Sequence, residues 1–145
     1  MRMSLLLQFL ALPPRARRCT AEAVLYLLAT RLAFDALPLP HALRLLRITQ
    51  GGFPLSQVAE AEADEVASAI ARAARHVPFR AACLQQAFTA LLMLRRRSLS
   101  ATVQLGVAKD GQGKLKAHAW SRCGEVPVTG ADAADGFAAV AVFSS

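Results

Sequence analysis

Between Cys83 and Arg122 the hydrophobic pattern changes period once, and that change restricts the fold more than any other feature of the chain. Leu84, Ala87, Phe88, Leu91, Leu92 and Met93 recur at helical spacing. From Thr102, Val103, Leu105 and Val107 alternate with Thr102, Gln104, Gly106 and Ala108, the period of a half-buried strand. A pattern of one period does not satisfy the other element, so helix and sheet must share one core. Pro78 pushes Val77 toward extended geometry, so one helix ends near Val77 and the next begins near Cys83. Arg95, Arg96 and Arg97 then fall at the C-terminal end of that helix, where its dipole favours positive charge. Asp110-Gly111-Gln112-Gly113 signals a hairpin. The returning strand, about Leu115 to Arg122, puts Lys116, His118, Trp120 and Arg122 on one face and Leu115, Ala117, Ala119 and Ser121 on the other.

The chemistry expected of this arrangement centres on Cys83. In the first turn of a helix the free backbone N–H groups and the positive end of the dipole favour the thiolate, the reactive form of cysteine. His118 is the only histidine after Cys83, and one helix and one hairpin suffice to bring it back. A lone cysteine at a helix start is usually a small buried hydrophobe, and a lone histidine on a strand is usually structural. Together, in the order cysteine, helix, strand, strand with histidine, they describe a nucleophile and its base. The Cys83 N–H, with a side-chain donor from Gln85 or Gln86, would face the oxyanion. Trp120 reads as core or as a wall of the substrate cleft. Cys123 lies close after His118, yet no paired-ligand spacing accompanies it, so neither metal nor cofactor is expected. Cys19, His41 and His76 are read as structural or exposed.

Composition narrows the partners. The 145 residues fit one folded unit, and 54% hydrophobic residues supply a core. Seventeen basic against ten acidic residues leave a net charge of +7, which suits nucleic acid, anionic lipid or an acidic peptide. A basic strand interleaved with aromatic residues and a helix-turn-helix pattern are both missing, so nucleic acid is not expected. The basic run at 95–97 reads as a solvated helix end. Three scattered cysteines point to reduced thiols and a cytoplasmic location.

Toward the N-terminus, Leu5-Leu6-Leu7 is interrupted by Gln8 and followed by Arg15, Arg17 and Arg18, an order unlike that of a secretory signal. Thr20 is the expected cap of a helix to about Phe34. Its run from Ala23 to Ala29 is apolar all round but too short to span a bilayer, so membrane association is not expected. A short helix follows, about Pro40 to Ile48. Gly51-Gly52-Phe53-Pro54 reads as the joint between a helical extension, residues 1–54, and a catalytic core, residues 55–145. Ser56 then caps a helix to about His76, acidic at its start and basic at its end, and the tail from Gly136 to Phe143 suits a final strand.

The segments Cys83-Leu84-Gln85-Gln86-Ala87, Leu91 to Arg97, Val103 to Val107, Lys114 to Trp120 and Val126-Pro127-Val128 resemble the transglutaminase-like cysteine peptidases that remove the leader from lasso-peptide precursors. The resemblance is strongest over residues 76–130, and the leucine- and arginine-rich N-terminus is similar to that family's helical extension. It implies an α+β, papain-like core with the nucleophile at a helix N-terminus packed on an antiparallel sheet. It also implies a Cys-His-Asp triad that cleaves through a thioester acyl-enzyme. Cys83 and His118 take the first two roles. The family's third residue, an Asp about a dozen positions after the histidine, falls here near Gly130, where the nearest carboxylates are Asp132 and Asp135; Asp132 is the expected member. The family's acidic residue shortly after the histidine is absent, since Ser121-Arg122 follow Trp120. Gln86 and Trp120 are the expected oxyanion or substrate contacts. The partners implied are the lasso precursor, a separate leader-binding protein and an ATP-dependent cyclase. A transglutaminase-like acyltransferase and a non-enzymatic basic helical binding module are the alternative readings.

Overall fold

The computed structural model describes residues 4–51 and 56–144. In chain order its helices are α1 (Leu5–Leu10), α2 (Pro14–Ala36), α3 (Leu39–Leu45), α4 (Glu60–His76) and α5 (Cys83–Arg96). Its strands are β1 (Thr49–Gln50), β2 (Thr102–Lys109), β3 (Leu115–Cys123), β4 (Val126–Thr129) and β5 (Ala138–Ser144), with a 3-10 turn at Ala131–Ala133. The fold is α+β. The five strands form one antiparallel sheet in the order β1-β5-β2-β3-β4, so the last strand of the chain lies between the first two.

α5 is the element on which both layers close. It packs against α2, α4 and strands β2, β3 and β4, and every residue from Ala87 to Leu94 is buried. Phe88 shows how the layers are joined. Its ring meets Phe34 of α2 edge-on at 5.2 Å and Phe143 of β5 at 5.4 Å, so one side chain ties helical layer, central helix and sheet together. Cys19, Ala23 and Leu27 of α2 belong to the same core as Val66 and Ile70 of α4 and Val103 of β2.

The hairpin between β2 and β3 forms where the turn residues predict it. Asp110 Oδ1 accepts the N–H groups of Gln112 and Lys114 at 2.8 and 2.9 Å. Gly113, rather than Gly111, takes the left-handed conformation, with φ +78°.

Four expectations need adjustment. Thr20 does not cap α2, which starts six residues earlier at Pro14, where a proline lacks only an N–H that the helix does not use. Inside the helix the Thr20 hydroxyl donates to the Ala16 carbonyl at 2.7 Å and accepts from Arg72 of α4 at 2.5 Å. Ser56 does not cap α4 either: that helix starts at Glu60 behind Ala59, and no side chain caps it. The intervening segment is held elsewhere, since the Gln57 carbonyl accepts the Ser100 N–H at 2.6 Å. α3 closes at Leu45 rather than Ile48, with Arg47 at φ +56° turning the chain and Ile48 buried. Arg97 is not a solvated helix end. Its two terminal nitrogens hold the Glu22 carboxylate of α2 at 2.9 and 2.8 Å, one of them also donates to the Met93 carbonyl, and the bond to Glu22 raises its pKa. Of the expected joint, Gly51 has φ +68°, and Gly52-Phe53-Pro54 lie outside the described residues. Among the described residues no helix is long and apolar enough to cross a membrane.

Candidate active site

Pro78 does what the sequence predicts. Val77 ends α4 in extended geometry, and the chain stays irregular until Ala82, also extended, hands over to α5. Cys83 is therefore the first residue of α5, half-buried, and the N–H groups of the first turn have no intrahelical acceptor.

His118 arrives on β3. The register pairs it with Gly106 and pairs Trp120 with Gln104, so these four share the sheet face opposite Val103 and Ala119, which lie in the core. β4 ends at Thr129, opposite Ser121, where the two hydroxyls meet at 2.7 Å. Beyond that pair no described strand borders β3 on this side. The chain turns instead at Gly130 and runs back past His118 as the 3-10 turn. A cavity of about 230 Å³ opens at this place, around the free edge of β3. It is lined by Cys83 and Gln86 of α5, His118 and Ala119 of β3, and Thr129, Gly130, Asp132 and Ala133. Nucleophile and base candidates thus face one space, although no hydrogen bond joins the Cys83 sulfur to the imidazole among the described residues.

The imidazole is fixed on three sides. Its Nε2 lies 2.8 Å from the Gly130 carbonyl oxygen. A carbonyl can only accept, so Nε2 carries a proton, and in the neutral ring the lone pair is then on Nδ1. Trp120 stacks on the ring with centroids 5.9 Å apart and planes 22° from parallel, and Phe137 closes the other contact at 5.3 Å. Trp120 is itself buried and donates Nε1–H to Gln104 at 2.5 Å. It therefore supports the histidine from behind, and it does not line the cavity as a cleft wall would. Gly106 makes that position available, because a Cβ there would lie 2.7 Å from the indole.

Gly130 is the site residue that sequence reasoning passed over. Its φ of +68° lies in the left-handed region, and a Cβ would stand 2.6 Å from the Ala119 oxygen and 3.1 Å from His118 Nε2. The carboxylate expected to orient the histidine was Asp132. The acceptor found on Nε2 is the Gly130 carbonyl, two residues earlier, and Asp132 stands exposed at the cavity rim. Asp135 does not line the cavity. Gln86 does line it, and its amide donates to the Ala81 carbonyl at 2.8 Å, bracing the approach to α5. Gln85 is buried, its Oε1 has no partner among the described residues, and it does not line the cavity. Phe137 was read only as part of a terminal strand and carried no signal of contact with His118.

The remaining thiols lie apart. Cys19 is buried beside Arg97, and burial pushes its thiol above the ordinary value of 9.0, against the opposing pull of the guanidinium. Cys123 is fully buried in the core. No cluster of three or more metal-ligating side chains occurs among the described residues.

A helix-opening cysteine and a strand histidine lining one cavity at a sheet edge agree with comparison against protein families. The model of the transglutaminase-like superfamily matches residues 24–142, from the middle of α2 into β5. The chain belongs to that superfamily. The match includes every residue that lines the cavity. Transglutaminase-like proteins are typically cysteine peptidases or acyltransferases, which share a thiol nucleophile and a thioester intermediate. No curated protein and no solved structure gives a significant match.

Proposed function

We propose that this transglutaminase-like protein is a cytoplasmic cysteine peptidase that removes the leader from a ribosomally made lasso-peptide precursor. The observation that carries the reading is the shared cavity, with Cys83 at the front of α5 and a His118 whose free Nδ1 is fixed by the bond to Gly130. The Cys83 thiol gives its proton to Nδ1, and the thiolate attacks the carbonyl carbon of the scissile amide. Backbone N–H groups at the start of α5 receive the oxyanion. The C–N bond breaks as the imidazolium returns its proton to the leaving amine, leaving a thioester on Cys83. Water, deprotonated by His118, attacks the thioester and releases the leader as a free acid.

The sequence resemblance supports a separate leader-binding protein and an ATP-dependent cyclase as partners. The exposed stripe of Leu25, Leu28 and Leu32 on α2, which begins at Arg18, supports docking of the first of these there.

The test is incubation of the purified protein with a candidate precursor, with and without a leader-binding protein. Cys83→Ala is expected to abolish cleavage while far-UV circular dichroism stays unchanged; persistent cleavage by that variant refutes the mechanism. A superfamily that includes acyltransferases leaves a second resolution of the same thioester. Product mass separates the two, because hydrolysis yields the leader acid and transfer yields an amine adduct.

A further inference from the structure

We propose that the main-chain carbonyl of Gly130, and not a carboxylate, is the group that orients the His118 imidazole. The inference deepens the peptidase reading and rests on it only in taking His118 as the base. The Gly130 oxygen lies 2.8 Å from Nε2, and an N–H directed at it has its acceptor there. The turn that delivers this oxygen requires glycine, both for its φ of +68° and because a Cβ would collide with the Ala119 carbonyl and crowd Nε2 itself. An aspartate side chain at position 130 would therefore not fit this backbone. The chain uses the peptide oxygen of the same residue instead. Trp120 and Phe137 hold the ring against that oxygen, and the clasp between Ser121 and Thr129 anchors the strand that leads into the turn.

A carbonyl and a carboxylate do not do the same work. Both select the tautomer with hydrogen on Nε2, leaving Nδ1 to take the thiol proton. Only a carboxylate adds a full negative charge beside the imidazolium. In this protein the acceptor at Nε2 is an uncharged peptide oxygen, and the Asp132 carboxylate stands exposed at the cavity rim. Gly130 is thus a positioning residue. It acts through His118 and does not contact the reacting atoms.

The experiment uses the full chain uniformly labelled with 15N, with glycine carbonyls labelled with 13C. The three histidines are assigned with His41→Gln, His76→Gln and His118→Gln variants. Long-range 15N spectra of neutral His118 are expected to show hydrogen on Nε2, and one glycine carbonyl is expected to shift with the same midpoint as the ring. Asp132→Asn is expected to keep both signatures and to lower kcat/KM less than a hundredfold. A triad oriented by its carboxylate loses on the order of 10⁴ when that group is neutralised. Hydrogen on Nδ1, no glycine carbonyl that follows the ring, or a hundredfold or greater loss in Asp132→Asn would each overturn the proposal. The spectra need no substrate, so they decide the role of Gly130 even where the precursor is not cut. Cleavage that survives Cys83→Ala would remove the peptidase mechanism and leave the tautomer result standing.

Discussion

Cys83 is the half-buried thiol of the chain, while Cys19 and Cys123 expose 3% and 0% of their surface. Alkylation requires both access and a thiolate, so the three should separate sharply. Limited iodoacetamide treatment of the native protein is expected to label Cys83 first, with Cys19 and Cys123 labelled only after unfolding; peptide mass mapping checks this. Cys19 makes a second prediction. Its thiol is neutral when protonated, and burial raises its pKa in the folded state above the ordinary 9.0. The folded state therefore holds its proton where the unfolded chain has released it. The stabilisation is fully present below pH 9.0 and is lost as the pH rises through the raised folded value. Urea midpoints at pH 8 and pH 10 should fall less in Cys19→Ala than in the parent. A residue can also be necessary without reacting: Gly130→Ala places an L side chain in the left-handed region against the Ala119 carbonyl, a cost on the order of 1–3 kcal/mol.

At the scale of elements, α5 does two jobs that depend on its two ends. Its first residue is Cys83, the proposed nucleophile, and its C-terminal end is anchored by Arg97 on Glu22. Between them Phe88 is fully buried and touches rings from α2 and β5. Phe88→Ala is expected to destabilise the protein by about 3–5 kcal/mol in chemical denaturation, the usual cost of removing a buried phenyl ring. Much of this element was legible in the sequence. Pro78 marks its approach, the spacing of Leu84, Phe88, Leu91 and Leu92 gives its period, and the basic run gives its end. The partnership of Arg97 was not legible, because Glu22 lies 75 residues away and a local charge run carries no record of so distant an acceptor. The starts of α2 and α4 were misplaced for a related reason. Thr20 and Ser56 have the chemistry of caps, but Thr20 accepts a tertiary hydrogen bond from Arg72, and the segment after Ser56 is held by the bond from the Ser100 N–H to the Gln57 carbonyl.

At the scale of the whole molecule, exposed large apolar side chains gather in the first 51 residues, among them Leu5, Leu6, Leu7 and Leu10 of α1 and Leu25, Leu28 and Leu32 of α2. Leu25, Leu28 and Leu32 recur at helical spacing along one stripe of α2, and a contiguous exposed apolar stripe marks an interaction site more often than singly scattered residues do. If the proposed leader-binding partner docks on this stripe, Leu25→Glu with Leu28→Glu is expected to weaken its binding at least tenfold in calorimetry, with the thermal midpoint unchanged or raised. An equal affinity in the double variant would overturn the proposal that this stripe is a docking surface. The sequence by itself determined the two hydrophobic periods, the proline that frees Cys83 to open a helix, and the hairpin that returns His118, because each is written in neighbours along the chain. Tertiary structure alone decided that β5 lies between β1 and β2, that β4 stops short and leaves the edge of β3 open, and that a peptide carbonyl meets Nε2. Those outcomes depend on contacts between distant segments and on a backbone oxygen that every residue carries, so no residue type announces them.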